Sequence, residues 1–108
     1  MNGNKVLLIG YNGLIPVCKK TSNGSKRVRI RVATHYFRTN EKGKREYHTI
    51  WHNVIAWDGK AEYAERNFVK GSKIMVEGSI AYRTYLDHTG HVRYITDIIA
   101  HNLVNLDR

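Results

Sequence analysis

The chain has 108 residues, enough for one domain spanning residues 1–108 around one modest hydrophobic core. It carries 18 Lys and Arg against 9 Asp and Glu, and its single cysteine, Cys18, excludes an internal disulfide framework and fits a reducing compartment. No apolar run reaches the roughly 18 residues of a membrane-spanning helix, and Val6 to Ile9 is too short for a signal-peptide core.

The patterns along the chain are those of strands. Val6-Leu7-Leu8-Ile9 is a continuous apolar run ending at Gly10, which suits a buried strand. Tyr11-Asn12-Gly13 reads as a turn, Leu14 to Cys18 as a short continuation, and Thr21 to Ser25 as a loop. Arg27-Val28-Arg29-Ile30-Arg31-Val32 alternates with period two, placing three arginines on one strand face and three apolar residues on the other. Like charges in a row repel, and an anion laid across them would relieve that repulsion. Thr39 to Glu46 is a polar hairpin loop, and Tyr47 to Trp57 is a long strand rich in aromatic and β-branched residues, broken by Asp58-Gly59. Ala61 to Val69 is the one helix, with Ala61, Ala64 and Phe68 at helical spacing and Gly71 as its stop. Lys73 to Tyr85 and Val92 to Ala100 are the last two strands, joined through a hairpin tip at Asp87-His88-Thr89-Gly90. Three strands, a helix and two strands describe an all-β, five-stranded Greek-key barrel with one short helix between its third and fourth strands, the OB-fold.

The basic excess is lopsided. Residues 1–57 hold 11 basic and 2 acidic side chains, and residues 58–108 hold 7 of each. A surplus confined to one half points to a polyanionic partner, nucleic acid foremost. Catalysis finds little support. The six histidines are scattered, and His48 and His52 are four strand steps, about 13 Å, apart. There is no Cys-x-x-Cys and no Gly-x-x-x-x-Gly-Lys, so no metal, no cofactor and no enzymatic activity are expected.

Single-stranded nucleic acid needs cations that track phosphates and flat rings on which bases stack. Tyr47, Trp51 and Trp57 have odd numbers and share one strand face, with about 20 Å between the two tryptophans. A core role for both tryptophans is the competing reading, because aromatic residues dominate cores. The opposite face, Ile50, Val54 and Ala56, supplies core candidates of its own. Tyr85 lies near the last hairpin tip, and Tyr36 and Phe37 lead into the basic loop. Lys5, Lys19, Lys20, Arg29, Arg31, Arg38, Lys42, Lys44, Arg45 and Arg83 interleave with these rings. No helix-turn-helix, zinc finger or basic region is present for duplex readout, so sequence specificity is expected to be weak.

Five stretches stand in order along the chain: Asn4-Lys5-Val6-Leu7-Leu8-Ile9-Gly10, Val32-Ala33-Thr34, Trp51-His52-Asn53-Val54-Ile55-Ala56-Trp57, Lys70-Gly71-Ser72-Lys73-Ile74-Met75-Val76-Glu77-Gly78 and Arg93-Tyr94-Ile95-Thr96. Together they resemble the bacterial-type single-stranded DNA-binding proteins. The resemblance implies an OB-fold homotetramer, or a dimer, that binds and protects single-stranded DNA in replication, repair and recombination, in the cytoplasm at the nucleoid. By position, Trp51, Trp57 and Tyr85 match stacking positions, and Phe37 or Tyr36 lies near a further one. Lys5, Lys19, Lys70 and Arg83 match basic positions near DNA, and His52 matches a histidine near a subunit contact. Asn53, Ala81 and Thr84 stand where basic residues are common, and Ile15 replaces a usual aspartate before Pro16, so contacts are expected to shift toward Arg29 and Arg31. Family members continue into a linker and a short acidic tip that recruits replication and repair proteins. This sequence stops at Leu106-Asp107-Arg108, so only weak contacts with such proteins are expected, and a tailless replication-restart or mobile-element adaptor is the alternative.

Overall fold

The structure, a computed structural model, describes residues 3–107; Met1, Asn2 and Arg108, the ends of the chain, lie outside the described residues. Its elements are β1 (Val6–Asn12), β2 (Lys19–Lys20), β3 (Lys26–Thr39), β4 (Arg45–Trp57), α1 (Gly59–Asn67), β5 (Lys73–Leu86) and β6 (Val92–Asn105). Five long strands close on themselves in the order β1-β5-β6-β4-β3, and β3 returns to β1 through Tyr11↔Ala33 and Asn12↔Val32. β4 and β6 run parallel, and the other pairings are antiparallel. This is the expected OB-fold barrel; the two-residue β2 is an extra edge strand beside β3, which puts the helix between β4 and β5.

Alternation on β3 and β4 builds the core. Val28, Ile30, Val32, Val54 and Ala56 point inward with Ile74, Val76, Ile98, Ala100 and Leu103, and Ala61, Ala64 and Phe68 cap one end. The helix is anchored at its start by Asp58, whose N–H donates to the Lys26 carbonyl at 2.8 Å while its Oδ1 accepts from the Lys26 N–H at 3.0 Å. It stops when Phe68 turns extended, its N–H still donating to the Ala64 carbonyl at 2.9 Å. Gly71 therefore does not end the helix; at φ 93 it turns the chain toward β5, and its N–H donates to the Asn12 carbonyl at 2.7 Å.

Other boundaries also differ from the sequence reading. β1 runs on through Tyr11 and Asn12, because its last residues pair with β3 to close the barrel. Leu14 to Cys18 is a loop, not a strand. β3 continues to Thr39 and β4 starts at Arg45, so the hairpin loop shrinks to Asn40–Lys44. There the Asn40 Oδ1 accepts from the N–H groups of Lys42 and Lys44, and Gly43 takes φ 76. β6 extends to Asn105, beside Ile74. Ile50 has the inward parity but is exposed, since the β3–β4 hairpin has left the barrel by that point.

The barrel closes tightly where β1 crosses β3. A Cβ on Gly10 would lie 2.1 Å from the Ala33 carbonyl oxygen, closer than any side chain can sit. Gly10→Ala is therefore expected to cost about 1–3 kcal/mol through overpacking, read as a lower urea midpoint; an unchanged midpoint would contradict this crossing geometry.

Candidate nucleic-acid interface

The register carries one parity across four strands. β3 pairs with β4 from Arg27↔Trp57 to Thr39↔Arg45, β4 with β6 at Asn53↔Asp97, and β6 with β5 at Ala81↔Asp97 and Tyr85↔Arg93. Directly paired residues share a face. The odd-numbered residues Arg27, Arg29, Arg31, Phe37, Arg45, Trp51, Trp57, Arg83 and Tyr85 therefore lie on the outer face of one continuous sheet. Trp51 is 49% exposed and Trp57 39%, so neither tryptophan is a core residue.

The rings and cations on this face hold one another in place. The Arg31 guanidinium lies 5.1 Å from the centre of the Trp51 ring, and that of Arg45 lies 4.1 Å from the Phe37 ring. A Cβ on Gly13 would fall 2.5 Å from the Trp51 ring, so a glycine there lets the indole lie against the end of β1. His35 stacks on Tyr47 with centroids 4.9 Å apart, and Phe37 leans on Tyr47 at 5.2 Å. Arg83 donates from Nε to Asp97 Oδ2 at 2.7 Å, which leaves its two terminal nitrogens for other partners. Arg27, Arg29, Ile55, Trp57, Arg83 and Ile99 border a groove of about 290 Å³ on this face, with Asp97 in its lining. Arg31 Nε and Asp97 Oδ1 are buried without a hydrogen-bond partner among the described residues, and both side chains have the parity of this face. Orphaned buried polar atoms are costly.

The remaining expected residues lie elsewhere. Tyr36 is on the opposite face of the hairpin from Phe37, stacked on His48 at 5.1 Å. Lys42 and Lys44 are exposed in the Asn40–Lys44 loop, beyond Phe37 and Arg45. Lys19 sits on β2 opposite Arg27. Lys5 makes a surface ion pair with Glu77 at 3.3 Å, and Lys70 is exposed in the link after α1. His52 shares the inward parity; its Nε2 is 2.8 Å from Thr34 Oγ1, and burial pushes its pKa down, which favours the neutral ring.

Sequence reasoning left His35 and Asp97 out of the site. His35 is visible only once β3 is known to extend beyond Val32. Asp97 is a lone carboxylate in an apolar run, and only the hairpin register brings it beside Arg83. Among the described residues, no three His, Cys, Asp or Glu side chains gather to hold a metal ion, and no helix is long and apolar enough to cross a membrane.

The model of the Single-strand binding protein family matches residues 3–106. A single-stranded DNA-binding protein of Rhizobium meliloti is 35% identical over 98 residues, covering 89% of this chain and 56% of the relative. One of Xanthomonas campestris is 35% identical over 100 residues, covering 93% and 58%. The chain thus spans somewhat over half the length of these relatives. Among solved structures, a Plasmodium falciparum SSB complex with ssDNA superposes with a TM-score of 0.86 at 26% identity, covering 99% of this chain and 97% of that one. A single-stranded DNA-binding protein from Thermus aquaticus reaches 0.81 at 25% identity, covering 96% and 50%. With a barrel of this topology and a family match along nearly its whole length, the chain belongs to the Single-strand binding protein family.

Proposed function

We propose that this chain binds and protects single-stranded DNA with little sequence preference. The observation that carries this reading is the shared outer face, where exposed Trp51, Trp57, Phe37 and Tyr85 stand among arginines. Every base has a flat face, so stacking on these rings is sequence-tolerant, while Arg29, Arg31, Arg45 and Arg83, with Lys5, Lys19, Lys42, Lys44 and Lys70 around them, meet the phosphates. The protein acts by binding, without catalysis, wherever single strands are exposed in replication, repair and recombination at the nucleoid. Its relatives' function and the interleaving of rings and cations support this over any chemistry.

Self-association into a homotetramer belongs to the same reading. Leu7, Ile9 and Tyr11 alternate outward on β1 and are all about half exposed, an apolar strip fit for a second copy. A half-buried His52, whose pKa burial pushes down, on the same face as exposed Ile50, supports a further contact between copies there.

Titration with oligo-dT, followed by tryptophan fluorescence, is expected to quench the signal and to show affinity falling steeply with salt as counterions are released. Trp51→Ala is expected to weaken binding by roughly 1–3 kcal/mol, the usual range for base stacking in single-strand binders. Equal affinity for duplex, or no quenching, would refute the proposal. Asp97→Asn gives a test with a distinctive sign. Removing a negative charge from a DNA-binding face should by itself strengthen binding. If Asp97 holds Arg83 toward a phosphate, binding instead weakens by about 0.5–1.5 kcal/mol, the ordering cost of a freed long side chain.

A further inference from the structure

β5 leaves the barrel with one edge uncovered. Its ladder with β1 runs from Tyr11↔Lys73 to Val6↔Gly78. At the next position of that register the Asn4 side chain stands in for a strand. Its Oδ1 accepts from the Ile80 N–H at 2.8 Å, and its Nδ2 donates to the Ile80 carbonyl at 3.0 Å. Beyond Ile80 no strand among the described residues pairs with this edge.

Two contacts fix which backbone groups lie open. Both backbone groups of Ile80 point away from β6, toward Asn4. The N–H of Asp87 instead donates across the hairpin to the His91 carbonyl at 3.0 Å. Antiparallel strands alternate in this way, so odd-numbered residues of this stretch bond to β6 and even-numbered ones face outward along the sheet. The N–H and carbonyl groups of Tyr82, Thr84 and Leu86 therefore form an open row. Proline or a bulge commonly blunts such an edge. Here residues 81–86 hold no proline, and the register shift of β5 lies earlier, at Glu77/Gly78.

The two faces beside this row differ in chemistry. On the even face Tyr82 is 74% exposed and Tyr94, on the neighbouring strand, 77%, with Leu86 and Val92 also in water. On the odd face stands Arg83, which spends Nε on Asp97 and keeps its terminal nitrogens for other partners. A row of backbone donors and acceptors is matched by another backbone, as when a peptide adds a strand to a sheet. Alternate side chains of such a strand would lie against Tyr82 and Leu86, and the others beside Arg83. A second copy paired about Thr84 would bring its own Arg83 diagonally next to this one, where like charges repel. An acidic strand brings a carboxylate there instead. We infer that the β5 edge from Tyr82 to Leu86 takes an extended segment of a partner protein as a further strand, a segment that alternates apolar with acidic residues.

The test is amide NMR of the isotope-labelled protein, without DNA and at fixed low salt. The probe is an end-blocked peptide alternating valine with glutamate, long enough to pair from Tyr82 to Leu86. The amides of Tyr82, Thr84 and Leu86 are expected to shift and to become protected from hydrogen exchange. Thr84→Pro removes one outward N–H and leaves the β5–β6 ladder alone, the position at which a sheet accepts proline. It is expected to weaken peptide binding at least about tenfold, the loss of one or two hydrogen bonds, with the thermal midpoint and oligo-dT affinity kept. Methylating alternate backbone nitrogens of the peptide, which leaves the protein untouched, is expected to weaken binding as much. No binding, shifts confined to another surface, or equal affinity for the methylated peptide would overturn the inference. So would equal affinity for a peptide with lysine in place of glutamate. Self-association that Thr84→Pro abolishes, without peptide binding, would give the edge to a second copy and overturn it too.

Discussion

Everything on the outer face depends on the register between β3 and β4. Side chains alternate with a period of two, so a slip of β4 by one residue would turn Trp51 and Trp57 inward and put Val54 and Ala56 in water. The register is held at both ends and in the middle. At one end Asp58 exchanges two hydrogen bonds with Lys26, tying the end of β4 to the start of β3. At the other, the Asn40 side chain caps the tight loop to Lys44. Between them, Val28, Ile30, Val32, Val54 and Ala56 are fully buried, so slippage would expose the centre of the core. The parallel pairing of β4 with β6 then hands the same parity to β6 and β5, which brings Arg83 and Tyr85 onto the face of the tryptophans.

The charge asymmetry acquires a structural meaning through pairing. The carboxylates of the second half mostly engage cations: Glu77 with Lys5, Glu62 with Lys26 and Arg66, Asp97 with Arg83 and Asp87 with Arg93. Asp87, which also accepts hydrogen bonds from Thr89 and His91 at the β5–β6 turn, is held down to a pKa of about 2. Arg27, Arg29 and Arg31 on β3 have no carboxylate within reach among the described residues, so part of the surplus charge read from composition stands as a row of unpaired cations on one sheet face. Arg31 partly offsets its isolation by lying over Trp51, which keeps ring and cation together where a base and its phosphate would arrive.

Much of this was legible from period-two alternation alone. Residues 27–32 and 51–57 showed buried Val28, Ile30, Val32, Val54 and Ala56 against outward Trp51 and Trp57, and the three apolar positions Ala61, Ala64 and Phe68 are all buried. Alternation failed where burial stops. From His35 to Ile50 the β3–β4 hairpin stands clear of the barrel, polar and aromatic residues occupy both faces, and little in the local pattern marks a strand or its burial. That is why the loop was expected to be long and why Ile50 passed for a core residue. The Arg83–Asp97 pair was invisible for a different reason: it joins residues 14 apart across a hairpin whose register no single segment encodes.

The central claim is one of sidedness: nucleic acid lies on the face carrying the odd-numbered residues of β3, β4, β5 and β6. Ultraviolet crosslinking to a thymidine oligomer, with the adducts located by mass spectrometry, tests it most directly. The account predicts adducts on Trp51, Trp57, Phe37 and Tyr85. Adducts confined to Tyr82 and Tyr94 on the reverse of the β5–β6 hairpin would contradict it.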